Sequence, residues 1–284
     1  MLKSLLKNMK NKKLPISVTL VIYNEERLLE RCLLSVVDLV DEILIVHDGP
    51  CSDNSLTIAR KYTNKIFTRE HFGHSEAHRI FTYENTKNNW ILQLDADEYL
   101  SDQLRENLAK LIEEDVDIYE FPWPVQHKGK HYYSKYKRSL FKKNKVYFIQ
   151  VIHEYIRPLD NGANIKRIAF PIFNDPEYEN VSWAIFRSKW MKWAKINARE
   201  LSTSFAKIPK WNCVEREWDF KNKIRLRYPL LFGAIGSFIY IMIISLFNSI
   251  SKKSMYYLIE GYYTGLYFIV LYFMIFKIKM LKHE

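Results

Sequence analysis

The sequence predicts an α/β fold in which a mostly parallel sheet carries helices on both faces, followed by a C-terminal hydrophobic helical hairpin. Three observations predict it. From residue 16 to residue 94, short β-branched and apolar runs alternate with amphipathic helical patterns, the spacing of right-handed βαβ units. Polar residues then gather where those runs end, at Tyr23, Asp48, Asp95 and Asp97. In open sheets of this kind, ligands bind outside the carboxyl ends of the strands. Finally, composition changes near the C-terminus, where residues 230–247 and 261–276 contain no charge.

The elements follow in order. Residues 1–13 hold Lys3, Lys7, Lys10, Lys12 and Lys13, with Leu2, Leu5, Leu6 and Met9 at helical spacing. The apolar run is far too short for a signal peptide; a basic amphipathic helix on a membrane surface and a solvated tail both fit. Residues 16–22 read as a buried strand ending at Tyr23-Asn24-Glu25-Glu26. A helix follows with Leu28, Leu29, Cys32, Leu33, Val36 and Val37 on one face. Residues 43–46 form the next strand, which ends at His47-Asp48-Gly49-Pro50, and Ser52 or Asp53 caps a helix facing inward through Leu56, Ala59 and Tyr62. A short strand at 65–68, a helix over 75–87 and a strand at 90–94 complete the alternation. Ser101 begins a helix with Leu104, Leu108, Leu111 and Ile112 inside, and 116–121 reads as a strand. Residues 122–157 are rich in aromatics and lysines with strand-like stretches at 137–142 and 146–157, and 181–207 reads as helical.

Eighteen helical residues span about 27 Å, close to the roughly 30 Å hydrocarbon core of a bilayer. Lys221, Lys223, Arg225 and Arg227 precede the first uncharged segment, Lys277, Lys279 and Lys282 follow the second, and Lys252 and Lys253 alone occupy the connection. By the positive-inside rule both ends of the hairpin lie in the cytoplasm. A pair of interfacial or core helices is the alternative.

Lys and Arg number 43 against 32 Asp and Glu, a net charge of +11. Such a surface suits nucleotide diphosphates, phospholipid head groups or nucleic acid. The chain has no zinc-knuckle spacing, RNP-like pattern or basic-region heptad, so no nucleic-acid partner is expected. Cys32, Cys51 and Cys213 lack C-x-x-C spacing and fit reduced thiols. The chemistry concentrates in Trp90-Ile91-Leu92-Gln93-Leu94-Asp95-Ala96-Asp97-Glu98. Along a strand alternate side chains share a face, so Asp95 and Asp97 can converge. Two hard oxygen ligands with open positions suit Mg²⁺ or Mn²⁺ shared with a substrate diphosphate. A solvated acidic turn is the plainer reading.

Three blocks and a fourth match add to this. The blocks are Ile16-Ser17-Val18-Thr19-Leu20-Val21-Ile22-Tyr23-Asn24-Glu25-Glu26, then Asp41-Glu42-Ile43-Leu44-Ile45-Val46-His47-Asp48-Gly49, then the 90–98 stretch; Val151-Ile152-His153-Glu154 is the fourth. Together they resemble an inverting family 2 glycosyltransferase of the Rossmann-like GT-A fold, over about residues 15–200, in particular the branch that builds bacterial lipopolysaccharide core and capsule sugars. The resemblance implies a nucleotide-sugar donor, with a UDP-sugar favoured, a glycan or glycolipid acceptor, and Mg²⁺ or Mn²⁺. It implies that Tyr23 borders the base, that Asp48 accepts a hydrogen bond from base or ribose, and that Glu25 and Arg79 belong to the donor site. Asp97 would bind the metal, Asp95 would lie near ribose and metal, His153 would assist the metal or diphosphate, and Glu154 would be the general base. Relatives often read Arg-Leu-Phe where Ser139-Leu140-Phe141 stands, so the phosphate role passes to Arg138. A loop usually rich in Ser and Thr reads Gly49-Pro50-Cys51-Ser52-Asp53, and Phe173 replaces a frequent histidine. The implied organisation is a basic tail at 1–13, a GT-A domain at 14–225 and a membrane-associated hairpin at 226–284, at the cytoplasmic side of the inner membrane. Two alternatives share the donor site or the membrane: a polyprenyl-phosphate glycosyltransferase, which needs no general base, and an inactive membrane scaffold.

Overall fold

The structure is a computed structural model that describes residues 13–127, 130–179, 181–213 and 218–281. The basic tail expected at 1–13 and the flanking Lys282 lie outside the described residues, Lys13 excepted. The chain forms two compact units. One holds the residues through Val125, with Ser134–Tyr147 and Ile156–Asp175; the other holds Gln126–Tyr133, Phe148–Tyr155 and the residues from Pro176 onward.

The first unit is built on β1 (Leu14–Ile22), α1 (Leu29–Leu34), β2 (Val40–Asp48), α2 (Ser55–Ala59), β3 (Ile66–Arg69), α3 (Glu76–Glu84) and β4 (Trp90–Leu94). The chain continues through β5 (Glu98–Leu100), α4 (Asp102–Glu113), β6 (Ile118–His127), β7 (Lys130–Lys142), β8 (Val146–Ile149), β9 (Arg157–Pro158), β10 (Ile165–Arg167) and β11 (Ile172–Asn174), of which the end of β6, the start of β7 and the second half of β8 fall in the second unit. Among the described residues, the main sheet runs β3-β2-β1-β4-β7-β6-β11-β5, with β10 added beside β6. β3, β2, β1 and β4 are parallel, as the βαβ spacing predicts. Beyond β4 the sheet becomes mixed, because β7 pairs antiparallel with β4 and β5 antiparallel with β11. The change arises because 130–142 is one long strand that returns alongside Trp90–Leu92, a non-local pairing that local periodicity does not report. The expected strand at 146–157 is two short ones, β8 and β9, joined by residues that turn instead of extending.

The core explains the parallel half. Ile16, Val18, Leu20, Ile22, Ile45, Leu92 and Leu94 join Leu29, Cys32 and Leu33 of α1 in one buried cluster, with the β1 to β2 register running from Ser17↔Glu42 to Ile22↔His47. Ser101 caps α4 as expected, its side chain accepting from Leu104 N. At α2 the capping position falls on Asn54, and Asp53 Oδ1 instead accepts from Ser55 N.

In the second unit, α5 (Trp183–Ile185) passes through a π-helical stretch, Phe186–Trp190, into α6 (Met191–Leu201). β12 (Lys210–Trp211) pairs with Phe148 and Ile149, and α7 (Phe220–Arg227) follows. The π-helical Pro229–Ile235 runs into α8 (Gly236–Ser251), and α9 (Tyr256–Met280) returns antiparallel to it. The two apolar helices thus form a hairpin. They approach closely because the seam residues are small: a Cβ on Gly261 would stand 2.0 Å from Ser245 Oγ.

Candidate active site

β4 stops at Leu94, and Asp95 to Glu98 form a tight turn closed by Glu98 N donating to Asp95 O at 3.0 Å. In return Asp95 N donates to Glu98 Oε2 at 3.0 Å. This corrects the expectation that strand alternation aligns Asp95 with Asp97. The Glu98 carboxylate takes the N–H that a continuing strand would have offered to a neighbour, so the chain bends and a turn presents the acids. Ala96 is buried within it and Asp97 is half-buried. Beneath, the Cys32 thiol donates to Asp95 O at 3.6 Å.

Two cations fix Asp95. Arg79 Nη2 of α3 donates to Oδ1 at 3.1 Å, and Lys137 Nζ of β7 donates to Oδ2 at 2.9 Å. Burial alone would raise the Asp95 pKa, but Lys137 and Arg79 hold it well below the usual carboxylate range. Lys137 Nζ also donates to Glu98 Oε1 at 2.5 Å, where Trp123 Nε1 donates at 2.6 Å. Glu98 is fully buried. That burial, with Asp95 and Asp97 close by, pushes its pKa up to about 7 against the opposing pull of Lys137. Burial likewise works against the charge on Lys137, and Asp95 and Glu98 reverse it, so the ammonium stays protonated.

Sequence reasoning named Arg138 for this region and passed over Lys137 and Glu98. Arg138 Nε donates to Glu120 at 2.9 Å and its Nη1 to Ile156 O at 3.2 Å. The reason is the two-residue period of a strand. Lys137 shares a face of β7 with Ser139 and Phe141, whose ring meets Tyr83 of α3 edge-on at 5.6 Å. The helix that carries Arg79 therefore lies over the face from which Lys137 projects. Counting back by twos from the apolar Phe141 would have identified Lys137.

The ends of β1 and β2 build the neighbouring wall. Tyr23 is half-exposed, its ring 4.7 Å from that of His71 and 5.9 Å from that of His47. Gly49 turns the chain after β2 with φ +90°, and a Cβ there would meet His71 Cβ at 2.7 Å. Asp48 is nearly buried, and its oxygens already have protein partners. Oδ1 accepts from Phe72 N at 2.7 Å and stands 2.8 Å from His78 Nε2; Oδ2 accepts from Gly73 N at 2.9 Å and stands 3.1 Å from His71 Nδ1. Burial raises its pKa, yet the hydrogen bonds from His78, Phe72 N and Gly73 N outweigh it and the net shift is downward. These four partners use the oxygens' lone pairs, so Asp48 anchors the 71–73 loop in this structure. Glu25 contributes its backbone, with N donating to Ser55 Oγ at 2.6 Å, while Asp53 Oδ2 accepts from Glu26 N at 3.0 Å and ties the two loops together. Cys51 and Ser52 lie in that tied loop.

His153 and Glu154 belong to the second unit. His153 has φ 65° and its ring meets Trp193 and Tyr267 edge-on, each at 5.3 Å. Glu154 N donates to Val151 O at 3.1 Å. Among the described residues no cluster of three or more His, Cys, Asp or Glu side chains is arranged to hold a metal by itself. Phe173 stacks on Tyr99 across the β11–β5 pair at 5.2 Å.

An α/β sheet with an acidic turn at the carboxyl end of its parallel strands is the class these features define. The profile described as Glycosyl transferase family 2 matches residues 17–168, and the chain belongs to that family. It is similar to an uncharacterised glycosyltransferase of Rickettsia bellii (strain RML369-C), 32% identical over 93 residues, 33% of this chain and 31% of the relative. A second, from Rickettsia felis, is 31% identical over 93 residues, covering 33% and 32%. The match thus spans about a third of the length of these curated relatives. Among solved structures, S. aureus TarS 1–349 aligns over 89% of this chain and 90% of its own, at 14% identity and a TM-score of 0.45. The same fragment in complex with UDP-GlcNAc aligns with a TM-score of 0.42 at 14% identity, covering 89% and 90%.

Proposed function

We propose that the protein is an inverting glycosyltransferase that moves a sugar from a nucleotide-sugar donor, a UDP-sugar first among those to test, to a hydroxyl of a bacterial surface glycan or glycolipid. The observation that carries this reading is the acidic turn 95–98 held by Arg79 and Lys137 at the carboxyl end of the parallel strands. Family membership supplies the reaction class, and the site supplies the division of labour.

Tyr23, half-exposed beside His71, offers a face for the base. Lys137 and Arg79 are held in fixed positions by their carboxylate partners, and preorganised cations of this kind are what a departing nucleoside diphosphate needs nearby. They also orient Asp95, and Asp97 is assigned the role of carboxylate for Mg²⁺ or Mn²⁺. One protein carboxylate with substrate phosphates is a common way to hold Mg²⁺, so the donor set fits such an ion. When bound, it would offset charge on the leaving diphosphate. Inversion needs a base on the acceptor side; Glu154 is assigned that role, worth about 10²- to 10⁴-fold, and His153 that of assisting the metal or diphosphate. Residues 14–225 carry the transfer chemistry and 226–284 the apolar membrane contact, on the cytoplasmic side of the inner membrane.

The test is turnover and slow hydrolysis of UDP-, GDP-, dTDP- and CMP-sugars with and without Mn²⁺. Metal-dependent turnover of one donor by the wild type, lost in Asp97→Ala, is expected. Absence of metal-linked donor binding by folded protein would refute the transferase reading. Glu154→Gln should keep donor binding and lose transfer; full transfer by that variant would favour a phosphate acceptor, which needs no base.

A further inference from the structure

The hairpin is long enough to cross a bilayer: 229–251 and 256–280 are 23 and 25 residues, and an 18-residue stretch of each has a mean hydropathy of 2.3 and 1.5. What lies beside its middle decides whether it does. Tyr240 is near the midpoint of the first helix, and Lys221 Nζ of α7 stands 5.3 Å from its ring. Phe268 is near the midpoint of α9, and the Arg225 guanidinium of α7 stands 5.8 Å from its ring. Along another side of α9 lies α6. Its Ala194 and Ala198 are buried in one cluster with Tyr267 and Leu271, and Asn197 Nδ2 donates to Tyr267 OH at 2.9 Å. The opposite side of α6 exposes Lys192, Lys195 and Arg199. A crossing hairpin would carry all five cations to mid-depth in hydrocarbon, where ionised side chains are costly.

The outer face of α8 is different in kind. Ile239, Ile243, Leu246 and Ile250 are exposed at helical spacing, while Ser237, Ser245 and Ser249 face the seam and are buried. An apolar stripe flanked by Lys and Arg is the pattern of a helix lying in the membrane interface. Long basic side chains reach head groups from that depth.

Building on the membrane reading above, we propose that the hairpin lies in the plane of an anionic phospholipid interface and that neither helix crosses the bilayer. The α8 stripe enters the acyl boundary, and Lys192, Lys195, Arg199, Lys221 and Arg225 meet lipid phosphates. Charge complementarity with anionic head groups selects this occupant over an uncharged apolar partner.

The test expresses the full chain in bacterial cells and prepares inside-out membrane vesicles, with the cytoplasmic face outward. A membrane-impermeant maleimide mass tag is then added to Lys252→Cys, in the hairpin connection, and to Ile243→Cys, on the stripe. The expected result is chain in the membrane fraction, with one tag beyond the native thiols on Lys252→Cys without detergent and on Ile243→Cys only with detergent. If Lys252→Cys needs detergent, the hairpin crosses and the in-plane proposal falls while the membrane reading stands. If the chain is soluble, or Ile243→Cys is tagged without detergent, the membrane reading itself falls. Purified protein should also float with phosphatidylcholine vesicles better when they contain phosphatidylglycerol; equal flotation overturns the head-group role.

Discussion

Lys137 is the side chain on which the acidic turn depends. It is nearly buried and faces two carboxylates, and removing one partner of a buried ion pair leaves uncompensated charge that costs about 3–5 kcal/mol. Lys137→Met should therefore lower unfolding free energy at neutral pH, and less so in acid, where Glu98 binds a proton. Denaturant titration at two pH values checks this. Glu98 gives a second prediction with a definite sign. Its folded pKa of about 7 lies above the ordinary 4.5, so between those values the folded protein holds a proton that the unfolded chain has released. Its contribution is fully present below pH 4.5 and is lost as pH rises through 7. Asp95 works in the opposite direction and at lower pH, because its folded pKa is depressed. With this shift the Glu98→Gln variant gains stability relative to the wild type from pH 5 to about pH 7 and levels off by pH 8; without it the difference between the two is the same at every pH. Parallel urea curves across that range would refute the shift. These residues also mark what the sequence reveals. The acids were visible as a run of carboxylates after an apolar strand. Arg79 was named through the family resemblance, but its pairing with Asp95 was not, nor was Lys137, since the two lie 16 and 42 positions away from Asp95 and folding brings them to one carboxylate.

At the scale of elements, strand ends were the readable part, because the apolar runs of β1, β2 and β4 are local and are cut off by polar residues. The role of Asp48 was less readable. Its partners at 71, 72, 73 and 78 come from the loop after β3 and from α3, and nothing in Asp48-Gly49 announces them. The Gly49 turn is where this element can be broken cleanly. Its φ of +90° and the 2.7 Å approach of His71 mean that Gly49→Ala should cost about 1–3 kcal/mol. Because His71 carries the Tyr23 ring, donor affinity should fall as well. Calorimetric melting together with donor titration measures both; an unchanged melt would show that the turn relaxes freely.

For the whole molecule, the periodic helices and strands were legible and the grouping into units was not. Residues 176–225 read as a continuation of the first domain, yet Ala194 and Ala198 are buried with Tyr267, Leu271 and Ile275 of the last helix. Ending the chain after Arg225 should consequently strip the cover from α6. We expect such a truncation to aggregate or to be cleaved readily between Trp183 and Leu201 in limited proteolysis, whereas the full chain resists there.

The segment Phe148–Tyr155 adds a temporal consequence. Several of its partners in its unit lie later in the chain: Pro209 and Glu200 for its backbone N–H groups, Lys210 and Trp211 for its strand, Trp193 and Tyr267 for the His153 ring. A ribosome delivers this segment first and its last partner more than a hundred residues afterwards. Domains fold as they emerge, N-terminal first, so the parallel half of the sheet can close while the proposed base still waits. Catalytic competence would then arrive only with α9, and a nascent chain stalled earlier could hold donor without spending it.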